Sequence, residues 1–443
     1  MEIRELYDRY LECCGRVSTD TRTLKGGEMF IALKGENFDG NAYAGAALDA
    51  GAACAVVDED SAAARSGDRR IIAVEDGFAA LQELASWHRE HCESSDGGRV
   101  TVLGLTGTNG KTTTKELIAR VLSTTVETAA TEGNLNNDIG VPLSLLKIRK
   151  GTRIAVIEMG ANHPDDISKL VRVCRPDFGL ITNVGKAHLL GFGSFEGVQR
   201  AKGQLYDYLS AHGGSIFLNA DDEVLRSMAA ARKGLPAILY GVRHDGVELL
   251  QATDSEPLMS FRIGDRTVRT RLSGAYNLTN ALAALCVGRH FGVTLDAAVG
   301  ALESYTPSNN RSQMQRSPRG NLLILDAYNA NPSSMAAALE NLSQFRSGRR
   351  VALLGDMREL GEDSLKEHSA LVRRIAASPF EAFLVGGEFR KALSTEGLPA
   401  NVKGIFATSS ELAEHLSAHP LSDAVVLVKG SRGIQMEKTV PML

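Results

Sequence analysis

The sequence predicts an α/β fold in three domains. A small α/β domain comes first, a central domain carries a mostly parallel sheet with helices on both faces, and a doubly wound sheet ends the chain. Short apolar runs alternate with helical segments, which is the pattern of βαβ units. At 443 residues the chain is too long for a single core, and its length over ~150 suggests about three domains. We place them at residues 1–98, 99–308 and 309–443, with the first boundary at a glycine-rich turn, residues 96–98.

The composition is that of an ordinary globular protein and argues against several functional classes. Hydrophobic residues make up 43% and charged residues 23% of the chain. A net charge of −4 argues against a nucleic-acid partner. No apolar run approaches the ~18 residues that span a bilayer, and the acidic, amphipathic N-terminal segment is unlike a signal peptide. Six cysteines without metal-type spacing indicate a reducing compartment, so we expect a cytoplasmic protein without a membrane span.

The first domain contains two polar segments that could bind a ligand. Residues 18–22, Ser-Thr-Asp-Thr-Arg, precede a short strand at residues 27–33. Residues 34–40 form a turn-rich loop of a kind that can hold a ligand. Taken alone, the first segment is more often an ordinary turn than a binding site.

The central domain opens with the pattern of a phosphate-binding loop. Residues 100–105 predict a buried strand, residues 107–110 turn the chain, and Lys111 opens a helix. In this layout, backbone N–H groups and the helix dipole face an anion. Lys111 would reach the β- and γ-phosphates, and the Thr112 hydroxyl would contact a magnesium ion. Leu105 stands where the usual loop has glycine, so this loop is a variant. The alternative is an ordinary glycine-rich turn with a solvated lysine.

Two further residues follow predicted strands of the central domain. Glu158 ends the apolar strand at residues 153–158, where open α/β sheets bind their ligands. It is therefore a candidate magnesium ligand beside Thr112. His188 follows the strand at residues 178–183. A lone histidine is more often structural than a ligand, and its position after a strand leaves both interpretations open.

Other polar residues of the central domain are less specific by themselves. Residues 132–142 contain three asparagines and two glycines, which could bind a ligand or form a structured loop. Lys202 lies on a predicted helix and alone would be taken for a solvated surface residue. Asn277 and Asn280 lie three apart, so both can project from one face of a helix's first turn.

The third domain is predicted to contain four apolar strands, at residues 321–325, 349–354, 382–385 and 424–428. Helical segments separate them, which describes a second doubly wound, Rossmann-like sheet. Each strand ends in small or charged residues, as a ligand-binding sheet edge requires.

These motifs together resemble the Mur ligase family. The residues that carry the resemblance are Thr106-Gly-Thr-Asn-Gly-Lys-Thr112, Glu158, His188, Ala201-Lys202, Asn277, Asn280, Arg311 and Asp326. Residues 133–142, 326–332, 355–361 and 429–432 are similar to the branch that adds D-alanyl-D-alanine to UDP-MurNAc-tripeptide. The resemblance covers nearly the whole chain and is weakest in residues 60–98 and 225–270. Two residues depart from the family pattern: Tyr276 replaces a frequent histidine, and Gln204 replaces an acidic residue.

The resemblance implies a role for each matched position. The implied ATP-binding residues are Gly107, Thr108, Asn109, Gly110, Lys111, Thr112, Thr113, Asn277, Asn280, Arg311 and Asp326. The implied substrate-binding residues are Ser18, Thr19, Arg22, Lys34, Asp39, Gly40, Asn134, Asn136, Asn137, Tyr328, Asn329, Ser431 and Arg432. The implied ligands of two magnesium ions are Thr112, Glu158, His188 and Lys202, and Lys202 matches a lysine that is carbamylated in relatives. The implied catalytic residues are Lys111, Asn134, His188 and Lys202.

The implied reaction is ATP-dependent amide ligation through an acyl phosphate in peptidoglycan precursor synthesis, by a monomer. Positioning and electrostatics carry such a reaction, so no nucleophilic triad is needed. Closure of the third domain would keep water from the acyl phosphate. One alternative is another ligase of the superfamily, such as MurE or folylpolyglutamate synthetase, with a different acceptor. The other is a nucleotide-driven switch that makes no amide.

Overall fold

Three main sheets divide the chain into a first, a central and a third lobe. The computed structural model describes residues 2–253, 255–307, 311–346 and 348–443. All three main sheets are wholly or mostly parallel, with helices between their strands, and this confirms the predicted fold class. The predicted boundary at residues 308 and 309 lies outside the described residues.

The first lobe is a four-stranded parallel sheet in the order β1-β2-β5-β6. Met29 and Ile31 of β2 pack into one apolar cluster and Phe30, between them, into another. Both faces of the strand are therefore covered, which explains its continuous apolar sequence. The elements are α1 Ile3–Glu12, β1 Val17–Ser18, β2 Met29–Ile31, β3 Lys34–Gly35, β4 Phe38–Asp39, α2 Ala44–Asp49, β5 Cys54–Asp58, β6 Ile71–Val74 and α3 Gly77–His91.

The central lobe is a six-stranded parallel sheet in the order β12-β11-β10-β7-β9-β8. Its strands are β7 Thr101–Thr106, β8 Thr128–Ala130, β9 Ile154–Glu158, β10 Phe178–Ile181, β11 Ser215–Asn219 and β12 Ala237–Tyr240. Its helices are α4 Lys111–Leu122, α5 Gly140–Leu145, α6 Asp166–Cys174, α7 Leu189–Phe192, α8 Phe195–His212, α9 Glu223–Ala230, α10 Leu278–His290 and α11 Leu295–Ser304. Because β7 lies between β9 and β10, the carboxyl ends of all three strands meet at one edge of the sheet.

A small antiparallel sheet accompanies the central lobe. Its strands are β13 Glu248–Leu249, β14 Ser260–Ile263 and β15 Arg266–Arg269. Phe261 and Val268 are fully buried and pair across the sheet, so their alternation with exposed neighbours explains the period-two sequence pattern.

The third lobe is a six-stranded sheet in the order β16-β17-β21-β18-β19-β20. Its elements are β16 Gln313–Arg316, β17 Leu322–Asp326, α12 Pro332–Gln344, β18 Arg349–Gly355, α13 Ser364–Ala376, β19 Glu381–Val385, α14 Gly387–Glu396, β20 Val402–Phe406, α15 Ser409–Ala418 and β21 Ala424–Lys429. The four predicted strands form its centre. The two edge strands, β16 and β20, were not predicted, because neither is a continuous buried apolar run. β16 is antiparallel to its neighbour β17.

The first and central lobes share one apolar core. A single buried cluster contains Leu6 and Leu84 of the first lobe together with Val102 and Ile157 of the central lobe. Arg89 of α3 crosses the same contact and is fully buried. Its guanidinium donates to the carbonyl oxygens of Cys174 and Arg175 and pairs with Asp177 at 2.7 Å.

Within the described part of the chain, no helix combines the length and the apolar character needed to cross a membrane.

Replacement of Arg89 with Ala tests how much this buried contact stabilises the fold. We expect the free energy of unfolding to fall by about 3 kcal/mol, because removing one partner of a buried ion pair leaves polar groups without their compensation. Urea denaturation followed by circular dichroism measures the change. Arg4→Ala, on the exposed face of α1, is the matched control. Equal midpoints for both variants would contradict a structural role for Arg89.

Candidate functional site

The carboxyl ends of the central strands face the third lobe across a cleft of about 620 Å³. Most of the sequence-predicted site residues line it: Thr108, Asn109, Gly110, Lys111, Thr112, Thr113, Asn134, Asn136, Asn137, Glu158, His188, Asn277, Asn280, Arg311, Asp326, Tyr328 and Asn329. The predicted residues that are not part of its lining are Ser18, Thr19, Arg22, Lys34, Asp39, Gly40, Gly107, Lys202, Ser431 and Arg432.

The loop between β7 and α4 has room for glycine alone at two positions. Gly107 has φ +150°, and a Cβ there would lie 1.9 Å from Thr182 Oγ1. Gly110 has φ +79°, and a Cβ there would lie 2.7 Å from Asn280 Oδ1. Leu105, the departure from the usual loop pattern, is buried inside β7 and takes no part in the turn. The glycine that matters in this variant is therefore Gly107.

The end of β10 holds this loop in place through hydrogen bonds. Thr182 Oγ1 and Asn183 Nδ2 donate to the carbonyl oxygen of Asn109 at 2.6 and 3.0 Å. The Asn109 backbone N–H donates in return to Asn183 Oδ1 at 3.0 Å. Gly185 N–H donates to Thr108 Oγ1 at 2.9 Å. The sequence analysis did not identify Thr182 and Asn183 as partners of the loop, although they end the strand predicted at residues 178–183.

Lys111 lies over the loop that precedes it. Its Nζ donates to the carbonyl oxygens of Gly107 at 2.9 Å and Thr108 at 3.3 Å. Burial lowers the pKa of Lys111, and the negative charge of Glu158 opposes that shift. The side chain thus brings a cation to the head of the loop, where a phosphate group would need it.

Glu158 is buried at the end of β9 with one carboxylate oxygen in use and one free. Its Oε1 accepts from Asn136 Nδ2 at 2.8 Å and from Thr112 Oγ1 at 3.3 Å. Among the described residues, Oε2 has no hydrogen-bond partner. Magnesium prefers carboxylate and hydroxyl oxygens and keeps several waters, so Thr112 and Glu158 fit one such ion. Asn136, predicted as a substrate ligand, uses its amide to position Glu158.

Lys202 is buried in α8, so it is not the solvated surface residue that its position on a helix alone would indicate. In the described part of the chain its Nζ makes no hydrogen bond or ion pair, and the Phe192 ring lies 5.9 Å away. Burial, reinforced by the charge of Lys111, lowers the pKa of Lys202 well below its usual value. Desolvation of this kind favours the unprotonated amine, which is the nucleophilic form of a lysine side chain.

No group of three or more His, Cys, Asp or Glu residues is arranged to hold a metal ion within the described ranges. A second magnesium ion would therefore need ligands beyond those side chains, such as a carboxylate added to Lys202 or phosphate oxygens.

The third lobe contributes an ion pair and a cation–π contact to the cleft. Asp326 ends β17, and its Oδ2 accepts from Lys429 Nζ at 2.6 Å. Lys429 is buried and lines the cleft, yet it was not among the predicted site residues. The Arg311 guanidinium lies 3.6 Å from the centre of the Tyr328 ring, a cation–π contact that fixes its direction. Arg432 approaches the same ring at 5.5 Å.

Contacts across the cleft join the central and third lobes. Asn331 Nδ2 donates to Asn109 Oδ1 at 2.7 Å, and Asn331 also caps α12. The next contact pairs Lys186 Nζ with Glu367 Oε1 at 2.8 Å. His188 Nδ1 pairs with the carboxylate of Glu359. The third-lobe partners Asn331, Glu359 and Glu367 were not predicted as site residues, because each contacts a residue of another lobe and no local sequence pattern indicates such a contact.

The two residues that depart from the family pattern, Tyr276 and Gln204, make local hydrogen bonds. Tyr276 lines the cleft, and its hydroxyl hydrogen-bonds to Ser312 Oγ at 2.9 Å. Burial raises the pKa of Tyr276, with Asp326 adding to the shift. Gln204 Oε1 accepts from the backbone N–H of Ser168 at 3.0 Å, in the first turn of α6.

The first-lobe candidates form structured turns. Asp20 caps a turn of 3₁₀ helix by accepting from the backbone N–H of Arg22, and also pairs with its guanidinium. These bonds lower the pKa of Asp20 to about 2. Lys34 and Asp39 stand opposite each other in the register of the antiparallel hairpin β3-β4.

Three family models match the chain. They are described as Mur ligase family, catalytic domain, over residues 15–89, Mur ligase middle domain over residues 105–288, and Mur ligase, glutamate ligase domain, over residues 310–432. A curated relative from Escherichia coli (strain K12), UDP-N-acetylmuramoyl-tripeptide--D-alanyl-D-alanine ligase, is 36% identical over 96% of this chain and 93% of its own. The chain belongs to the Mur ligase family. It is therefore an enzyme of the ligase class.

Other members of the Mur ligase family agree in sequence and structure. The Bacillus subtilis (strain 168) protein of the same name is 32% identical over 96% of this chain and 92% of its own. The crystal structure of MurF from Acinetobacter baumannii superposes with a TM-score of 0.83 at 32% identity, over 96% of this chain and 92% of that chain. MurF ligase from Thermotoga maritima in complex with ADP superposes with a TM-score of 0.82 at 28% identity, over 96% of each chain.

Replacement of Gly107 with Ala tests the proposed phosphate loop of this Mur ligase. We expect the affinity for ADP to fall at least ~100-fold, about 2.7 kcal/mol, because the new Cβ would overlap Thr182 and displace the loop. Calorimetric titration with ADP measures it. Gly300→Ala is the control, since a Cβ there meets no atom within 4 Å. Unchanged ADP binding by a folded Gly107→Ala protein would contradict this role of the loop.

Proposed function

We propose that the chain joins D-alanyl-D-alanine to UDP-N-acetylmuramoyl-tripeptide through an acyl phosphate, with ATP converted to ADP and phosphate. This is a step in the synthesis of peptidoglycan precursors. The names of the curated relatives support the substrates, and the ADP complex of the Thermotoga maritima protein supports the nucleotide. The observation that carries the proposal is the cleft, in which the glycine loop, Glu158 and polar residues of the third lobe face one another.

The nucleotide phosphates would lie at the N-terminus of α4. Within residues 107–113, the N–H groups of residues 110–113 and the Lys111 ammonium would offset their charge, since the N–H groups of Thr108 and Asn109 already donate to Asn183. Asn277 and Asn280 would contact the adenine side, while Arg311 and Asp326 would reach the phosphates and the ribose from the third lobe. The stacking of Arg311 on Tyr328 supports this assignment, since it holds the guanidinium at the cleft.

The chain's residues would serve the reaction by neutralising and aligning anions. A carboxylate and a γ-phosphoryl group repel each other, and the carboxylate is a poor electrophile until it is phosphorylated. Magnesium, when bound by Thr112 and Glu158, supplies the positive charge that brings them together. Lys111 adds a second cation. Contact between the lobes limits water around the acyl phosphate until the dipeptide amine attacks its carbonyl carbon.

Lys202 would carry a carbamate in the active enzyme. Its amine adds to carbon dioxide with loss of one proton, which creates a carboxylate where the sequence has none. That carboxylate and His188 would support a second magnesium ion. The burial of Lys202 and its lowered pKa support this assignment, because carbamylation requires the unprotonated amine.

The remaining assignments concern the two ends of the substrates. The uridine end would bind the first-lobe turns, and Asn134, Asn136 and Asn137 would meet the peptide. The dipeptide would bind the third lobe. The residues proposed for these two outer sites are Ser18, Thr19, Arg22, Lys34, Asp39, Gly40, Tyr328, Asn329, Ser431 and Arg432.

The proposal also covers the organisation and location of the chain. We place the domain limits after residues 98 and 308, and we propose a monomer with a cytoplasmic location. The free state of all six cysteines supports the last point.

The acceptor requirement tests the proposed function. We expect phosphate release from ATP to need both UDP-N-acetylmuramoyl-tripeptide and D-alanyl-D-alanine, and we expect mass spectrometry to detect the new amide. Single amino acids in place of the dipeptide are the control, because a sibling ligase would accept one of them. ATP turnover that ignores the dipeptide, or occurs without a new amide, would refute the proposal and favour a sibling ligase or a nucleotide switch.

Replacement of Lys202 with Ala tests the carbamate. We expect activity to fall by ~100-fold, the upper range for loss of support to a metal site, with partial recovery in formate or acetate. A small carboxylate can occupy the space that the shorter side chain leaves. Lys233→Ala, an exposed lysine, should keep full activity. Full activity of Lys202→Ala without added carboxylate would show that the amine has no role in the reaction.

A further inference from the structure

Glu359 of the third lobe contacts His188 of the central lobe at the edge of the cleft. It lies in the loop after β18, within residues 355–361, and its carboxylate contacts His188 Nδ1. The backbone N–H of Leu190 also donates to the Glu359 carbonyl oxygen at 3.3 Å. The side chain and the backbone carbonyl of Glu359 therefore both contact the segment that begins α7. Neither the sequence analysis nor the proposed chemistry assigns Glu359 a role.

We propose that Glu359 is a positioning residue for His188. When the central and third lobes are in contact, its carboxylate accepts a hydrogen bond from Nδ1–H and leaves Nε2 as the ring nitrogen available to the cleft. The inference rests on the proposed function, in which His188 supports a second magnesium ion.

The chemistry of the two groups determines which nitrogen carries the proton. An ionised carboxylate can only accept, so Nδ1 must donate and Nε2 keeps its lone pair. A neutral imidazole with Nε2 free is a metal ligand or a hydrogen-bond acceptor, and a carboxylate on the other nitrogen fixes its orientation.

Backbone geometry supports a functional contact. His188 has φ +51° and Glu359 has φ +66°, so both non-glycine residues adopt the left-handed conformation that L-residues disfavour. Strained positions of this kind concentrate at functional sites. The pair itself is partly exposed, with 23% of the His188 and 58% of the Glu359 side chain accessible. Exposed contacts to a charged group contribute little to stability, so stability alone does not account for the arrangement.

The contact also connects the third lobe to Lys202. The carbonyl oxygen of His188 accepts from the backbone N–H groups of Gly191 and Phe192, which fixes the short helix α7. The Phe192 ring lies 5.9 Å from Lys202 Nζ. Glu359 therefore contacts His188 directly and is connected to Lys202 through the five residues 188–192.

Kinetics of four variants test the role of Glu359. In Glu359→Ala we expect kcat to fall ~10- to 100-fold, as for other residues that orient a metal-bound histidine. The KM for D-alanyl-D-alanine should stay within about twofold. Glu359→Gln should recover part of kcat, because its amide oxygen can still accept from Nδ1. Glu362→Ala removes an exposed carboxylate three residues away. Glu367→Ala removes the ion pair to Lys186 without touching His188. Both control variants should stay within about twofold of the unmodified enzyme.

A second measurement reports on the imidazole without any turnover. Protein labelled with ¹⁵N-histidine is examined by NMR in the presence of ADP, at a pH where the imidazole is neutral. The His188 signal among the ten histidines is identified by its loss in His188→Gln. We expect the Nδ1–H tautomer in the unmodified protein and in Glu367→Ala, and a mixture or the Nε2–H tautomer in Glu359→Ala.

The outcomes separate this inference from the proposed function. If the unmodified enzyme makes the amide, and Glu359→Ala matches the controls in kcat and in tautomer, the positioning role is wrong. An equal loss in Glu359→Ala and Glu367→Ala, with an unchanged tautomer, would also overturn it in favour of simple lobe adhesion. If the unmodified enzyme makes no amide, the proposed function fails, and the tautomer experiment still decides whether Glu359 orients His188.

Discussion

The cleft depends on one close contact, between the glycine loop and the end of β10. Gly107 comes so near to Thr182 that no side chain fits between them, and Asn183 holds the loop at the following turn. The contact exists because β7 and β10 are neighbouring parallel strands whose carboxyl ends coincide. It places the N–H groups at the start of α4, Lys111 and Thr112 around one space, with Glu158 on the neighbouring strand β9 as their counter-charge.

Burial of charged groups gives this space its chemical character. Lys111, Lys202 and Lys429 come from three different elements and lie within or beside the cleft. Lys429 is paired with Asp326, and Lys111 lies on carbonyl oxygens, whereas Lys202 has neither kind of partner in the described ranges. The buried oxygen Glu158 Oε2 is the acidic counterpart, without a donor among the described residues. Such groups cost free energy to bury, so their presence together is typical of a site that awaits charged ligands.

The sequence predicted features that depend on neighbouring residues and missed those that depend on distant ones. The strand before Lys111 and the helix after it follow from local patterns, and Glu158 and Asp326 follow from the ends of apolar runs. The edge strand β16 was missed because its sequence, Gln-Met-Gln-Arg, is polar and derives its pairing from β17. Asn331 and Glu359 were missed because their partners lie more than 150 residues away, and no local pattern records such a pairing. The burial of Lys202 likewise results from packing around α8.

The core shared by the first and central lobes has a consequence for substrate length. Separating these lobes would expose apolar side chains at a cost of about 25 cal/mol per Å², and would strip Arg89 of its buried partners. The third lobe meets the central one largely through polar contacts at the cleft. The distance from the first-lobe turns to the glycine loop is thus set by a shared apolar core, whereas the third lobe is joined to the central lobe by polar contacts. A linear molecule that binds both the first-lobe turns and the glycine loop must therefore match this fixed distance, whatever the position of the third lobe.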